Sequence, residues 1–148
     1  MLERQHNGVI TLEAYSEMIE RCQSELPDEA CGILASSGRT ISDTGIPIID
    51  TVYPIRNAHD NPHTSFAFDP VQWTAAYFVM QKNRQTLAGL YHSHPNSEAV
   101  PSERDRDGFL PASELTYWIV SLKNRQSPHV QPYIRKNGAF APIPSVLA

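Results

Sequence analysis

His92 and His94 stand two residues apart at the end of an apolar run and open the turn-rich stretch HSHPNSEAVPSERDRDG. In an extended chain, side chains at that spacing project to the same side, so the two imidazoles can approach one ion. Two ligands do not close a metal site. Asp105 offers a third donor across a loop that Pro95 and Pro101 stiffen. Two nitrogens and a carboxylate suit zinc, and three protein ligands leave one position open, as in catalytic rather than structural zinc sites. Chemistry at such a centre needs a group that takes a proton and passes it on. Glu29 is the candidate: it follows a Pro27-Asp28 turn, opens a strand and lies close to Gly32, where another backbone can come near.

Each of these residues also has an ordinary use. An H-x-H pair alone is a weak metal signal, and an isolated Glu29 reads as a solvated acid at a strand edge. Ser102-x-x-Asp105 is a helix capping box as well, and the two uses are compatible, because an aspartate at the third helical position can face an ion while the serine holds the turn. Glu103 and Asp107 read as solvated neighbours of Asp105. His59 and His63 form a rival i, i+4 pair, but Pro62 and the surrounding Asn and Asp residues make NAHDNPHT a polar loop that lines a groove. Cys22 and Cys31 fall inside regular elements without a C-x-x-C pair, which predicts buried reduced thiols rather than zinc ligands. Neither H-x-E nor P-C-x-x-C occurs, so the zinc deaminase pattern is absent.

The elements that must bring these residues together are legible in outline. Leu12, Tyr15, Met18, Ile19, Cys22 and Leu26 recur at helical spacing between Thr11, a candidate N-cap, and Pro27, a stop. CGILAS reads as a buried strand, and IPIIDTVYPIR as an edge or irregular strand because two prolines interrupt it. SFAF reads as a short strand. Asp69-Pro70 then starts a helix through VQWTAAYFVMQKNR whose apolar side carries Val71, Thr74, Ala75, Phe78 and Val79, with Trp73, Tyr77 and Phe78 assigned to core packing and partial exposure. TLAGLYHS is a strand that delivers His92, TYWIVSL a buried strand, and VQPYIR with AFAPI a pair turning at Asn137-Gly138. Strands interrupted by two long helices imply an α/β or α+β fold with a mixed sheet flanked by the helices.

Composition narrows the partners. The 148 residues, 41% hydrophobic and 19% charged, suit one globular domain over 1–148. A net charge of -4 supplies no broad basic field for nucleic acid. No apolar run reaches bilayer length, and MLERQHNG carries an acid where a secretory signal would be apolar, so a cytoplasmic location is expected.

Taken together, Glu29-x-x-Gly32, His92-Ser93-His94-Pro95 and, six residues on, Ser102-x-x-Asp105 resemble the JAMM motif of the JAB/MPN metalloprotease family. The similarity runs from about Ile10 into the last strands, and EACGIL is similar to the short bacterial members. The resemblance implies a cytidine-deaminase-like JAB/MPN fold and a zinc metallopeptidase or isopeptidase. His92, His94 and Asp105 would hold one zinc, Glu29 would act as general base and then acid, and Ser102 would stabilise an oxyanion. Relatives that cut ubiquitin chains carry insertions with no counterpart here beyond NAHDNPHT, so the implied substrate is a ubiquitin-like sulfur-carrier protein, cut at its C-terminal glycine. A metal-free MPN-like scaffold that binds a partner protein, and a nucleic-acid-processing relative with an H-x-H-P pattern, are the alternatives. The intact ligand set argues against the first and the acidic balance against the second.

Overall fold

A computed structural model describes residues 6–108 and 114–148. β1 (Gly8–Ile10) leads into α1 (Leu12–Ser24), which starts where the Thr11 hydroxyl accepts from the Ala14 amide at 3.1 Å. The N-cap is the one expected from sequence. β2 (Cys31–Ser36) and β3 (Thr51–Ile55) follow, then α2 (Pro70–Lys82), capped by Asp69 with Pro70 in the first turn. β4 (Thr86–His94) runs through both histidines rather than ending at the first. A short helix, α3 (Glu103–Gly108), lies in the connection to β5 (Thr116–Ser121), and β6 (His129–Lys136), β7 (Ala139–Pro142) and β8 (Ser145–Leu147) complete the chain. Asn137 and Gly138 both take positive φ between β6 and β7, the geometry of a tight hairpin turn.

The main sheet has the order β3-β2-β4-β5-β6-β7. Only β4 and β5 pair in parallel within it, so the expected mixed sheet is found. β3 is an edge strand, which accommodates Pro54. β1 and β8 form a separate parallel pair. Alternate residues of the central strands feed two cores. Leu34, Tyr91, Trp118 and Val120 pack with Met18 and Cys22 of α1, whereas Ile33, Leu90, Tyr117 and Ile119 pack with Ala76 and Met80 of α2. The parity of β4 therefore sends His92 and His94 to the α2 side, with Leu90.

Two expectations need correcting. SFAF forms no strand and makes a single bridge, Phe68 to Asn57. The Asn57 side chain takes the place of a strand partner, accepting from the Ala67 amide at 3.1 Å and donating to the Ser65 carbonyl at 2.9 Å. The second correction concerns α2. Its supposed core side faces outward: Val71 is 77% exposed, Phe78 65% and Val79 45%. The helix seats Ala76 and Met80 instead, with Trp73 half-buried against Phe68 at 5.0 Å between ring centroids. Both flanks of α2 are apolar, so helical periodicity by itself could not choose between them. The two helices expected to be long have 13 residues each.

Gly32 is required by packing. A Cβ there would lie 2.3 Å from the Tyr91 ring and 2.6 Å from the Tyr53 carbonyl oxygen, because Tyr91, its register partner on β4, lies flat across it. Cys22 and Cys31 are both buried free thiols. Among the described residues no helix is long and apolar enough to cross a membrane.

Candidate metal centre

β4 supplies both imidazoles, and α3 brings the carboxylate to them. His92 Nε2 and His94 Nε2 lie 3.1 Å apart. Asp105 spans the pair, with Oδ1 3.0 Å from His92 Nε2 and Oδ2 3.1 Å from His94 Nε2. All three residues are buried. Phe66 stacks on the His92 ring at 4.4 Å and 24°, which fixes the ring plane. His94 Nδ1 lies 2.7 Å from the Glu98 carbonyl, so this nitrogen donates there, and Nε2, 3.1 Å from Asp105 Oδ2, offers its lone pair to an ion once it gives up the proton it shares with that carboxylate.

This donor set fits a metal ion. Ligands at about 2.0–2.1 Å from a tetrahedral zinc are separated by roughly 3.3 Å, close to the 3.0–3.1 Å found among these atoms. Two imidazole nitrogens and a carboxylate converging at that distance repel one another unless a proton or cation sits between them. The acidities reflect the same crowding. Burial opposes charge on Asp105, yet hydrogen bonds from His92 and His94 outweigh it and hold the carboxyl well below the usual carboxylate range. Burial pushes His92 down. It opposes charge on His94 as well, but the bond to Asp105 and the Glu98 carbonyl raise that group.

Ser102 and Asp105 form the anticipated capping box. The Asp105 amide donates to Ser102 Oγ at 3.1 Å, and the Ser102 amide donates to Asp105 Oδ2 at 2.8 Å. Ser102 Oγ acts there as an acceptor, which leaves its own O–H available to another group. One hydroxyl can therefore hold the turn and still donate.

Glu29 reaches this site through β2, whose register sets Cys31 opposite His92. Ser93, between the two histidines and facing the other way, accepts from the Ala30 amide at 2.8 Å through Oγ and donates its own amide to the Ala30 carbonyl at 3.0 Å. Loop 57–65 holds the other side: the Glu29 amide donates to the Pro62 carbonyl at 2.7 Å, and Asn57 Nδ2 donates to the Glu29 carbonyl at 2.9 Å. The Glu29 side chain is 5% exposed, and its Oε1 has no hydrogen-bond partner among the described residues. Burial first, and then the Asp105 charge, push its carboxyl up to about 7 against the opposing pull of His94 and Arg104.

Glu29, His94 and Ser102 line one pocket of about 510 Å³. His63 lines it too, its Nδ1 3.0 Å from Asp28 Oδ1, so the NAHDNPHT loop does border a groove. His59 stays in the loop, where its Nδ1 accepts from the Asn61 amide. Glu103 is exposed on the pocket rim, and the side chain of Asp107 lies outside the described residues. Sequence reasoning missed Ser93, Asn57 and Phe66. Ser93 could have been noticed as the middle of H-S-H, but the other two act through contacts that no local pattern encodes.

The chain is 28% identical over 111 residues to the desampylase of Haloferax volcanii, covering 74% of each protein. It is 27% identical over 136 residues to the CysO-cysteine peptidase of Mycobacterium tuberculosis, covering 92% of this chain and 88% of that one. A solution structure of a Desulfitobacterium hafniense protein superposes with a TM-score of 0.82 at 30% identity, over 97% of this chain and 93% of the other. The family of prokaryotic homologues of the JAB domain matches residues 11–133, a span that takes in Glu29, both histidines, Ser102 and Asp105, and the chain belongs to that family.

Proposed function

We propose that the protein is a zinc-dependent metallopeptidase or isopeptidase that hydrolyses the bond after the C-terminal glycine of a ubiquitin-like sulfur-carrier protein. One observation carries the reading: two imidazole nitrogens and the two oxygens of one carboxylate meet at 3.0–3.1 Å in a buried cluster, and the pocket there is also lined by Glu29, whose buried Oε1 has no hydrogen-bond partner among the described residues. Relatives named as a desampylase and a CysO-cysteine peptidase support the reaction and the substrate class. The family match over most of the chain supports reading 1–148 as one domain, and the lack of a membrane-length helix among the described residues fits a cytoplasmic enzyme.

In this mechanism His92, His94 and Asp105 would hold a single zinc ion. Zinc, when bound, supplies Lewis-acid polarisation of a carbonyl and brings the acidity of water toward about pH 7. Glu29, buried in the pocket, would take a proton from the attacking water and deliver it to the departing amine. The water oxygen bonds to the glycine carbonyl carbon, the C–N bond breaks, and a carboxylate and an amine leave. Ser102 donates its free O–H to the oxyanion of the tetrahedral intermediate. Ser93 and Asn57 hold the Glu29 main chain in place, and Phe66 holds the His92 ring.

The test is incubation with the sulfur-carrier proteins of the same organism, followed by intact-mass measurement of their C-termini. Wild type removes the group beyond glycine. Glu29→Gln retains one zinc per chain and leaves the mass unchanged, while His92→Ala and Asp105→Ala lose the zinc. No metal in any form, with no change of mass, refutes the reading and favours a binding scaffold.

A further inference from the structure

α3 carries Arg104 between Ser102 and Asp105, and the Arg104 side chain lines the same pocket as Glu29, His94 and Ser102. It is exposed and has no ion pair or hydrogen bond among the described residues, although Glu103 and Asp105 are its neighbours in the chain. Its charge is close enough to Glu29 to pull that carboxyl's acidity downward. His63, Thr64, Asn96 and Ser97 place polar groups around the pocket beside these residues, with Pro95 and carbon atoms between them, and the ring of His63 is held by Asp28. A volume of about 510 Å³ admits a group of one or two residues, and Arg104 is the cation on its rim that can pair with a charge on that group.

A guanidinium is built to grip a carboxylate through two parallel bonds. When the group leaving the carrier is a single amino acid joined through its α-amine, its carboxylate carbon lies only about 2.5 Å from the scissile nitrogen. A reader for that carboxylate must therefore sit in the pocket that holds the catalytic groups, as Arg104 does. When the leaving amine is instead a lysine of a folded protein, no carboxylate comes near.

We propose that Arg104 is a specificity-determining residue that binds the free α-carboxylate of the leaving group, so that the enzyme prefers carriers ending in an α-linked amino acid over lysine isopeptides. The assignment rests on the peptidase reading above. Glu103 on the same rim opposes the effect, so selectivity comes from direct pairing with the guanidinium rather than from the net field of the pocket.

The test uses the zinc-loaded protein and a sulfur-carrier protein extended beyond Gly-Gly by one alanine, prepared as the free acid and as the carboxamide. Wild type cuts the acid with a kcat/KM about 10- to 100-fold above the amide, the range expected for a charge-assisted pair. Arg104→Gln brings that ratio toward one, and Arg104→Lys restores part of it. Calorimetry with the Glu29→Gln protein gives a second readout, in which the acid binds more tightly than the amide and Arg104→Gln in that background removes the difference. Equal cutting of acid and amide by wild type, or an unchanged ratio in Arg104→Gln, overturns the subsite and leaves the peptidase reading standing. A zinc-loaded wild type that cuts neither carrier removes both.

Discussion

Replacing Glu29 by Gln in the metal-free protein should change how stability depends on pH, and the size of the change follows from burial of the carboxyl. Its acidity moves from an ordinary 4.5 to about 7, chiefly through desolvation. At about 1.4 kcal/mol for each tenfold change in acidity, this amounts to about 3 kcal/mol, a ceiling because the pocket admits water. The folded state favours the neutral acid. The favourable contribution is therefore complete below pH 4.5, falls as pH rises, and is gone once pH has passed about 7. Gln cannot ionise, so the variant lacks this decline. Urea unfolding of both proteins at about pH 5 and about pH 8 measures it, and the difference between the two pH values cancels any constant effect of the amide. His92, His94 and Asp105 titrate in both proteins and drop out to first order. The variant should gain up to about 3 kcal/mol relative to wild type between the two conditions, while losing all turnover when zinc is supplied. Identical pH dependence in the two proteins would show that Glu29 does not occupy a desolvated position, and the case for it as the proton carrier would fall with that.

Asn57→Ala removes a side chain whose two donors serve the Glu29 and Ser65 carbonyls and whose oxygen accepts from the His59 and Ala67 amides. We expect a loss of about 2 kcal/mol or more in urea unfolding, with kcat reduced and zinc content unchanged; full activity would mean the loop does not position Glu29. Gly32→Ala forces a Cβ to within 2.3 Å of the Tyr91 ring and should cost about 1–3 kcal/mol, whereas a change inside half a kilocalorie would show that the ring can move aside. Phe78→Asp on the outer face of α2 should alter the midpoint by no more than about 0.5 kcal/mol; a large loss would return that face to the core.

Local chemistry made much of the fold legible. Thr11 and the Asp69-Pro70 pair start their helices because a cap acts within three residues of itself. Asn137 and Gly138 turn the last hairpin because both tolerate positive φ. Reading failed where two local solutions were nearly equal. SFAF alternates like a strand, yet its Phe66 is needed on His92 and its backbone groups bond to a side chain, so no ladder forms. On α2 either flank was apolar enough to bury, and the fit of Ala76 and Met80 against the sheet decided between them.

The amino-acid order by itself determined which donors were on offer, the shared face of His92 and His94 on one strand, and the capping box that turns Asp105 inward, since all of these act over a few residues. Tertiary structure alone decided that Glu29 lines the same pocket as His94 and Ser102. That required Ala30 to bond with Ser93, 63 residues away, and loop 57–65 to hold the other side of the strand entry. Register between remote strands depends on the packing of both cores at once, and no short window of sequence contains that information.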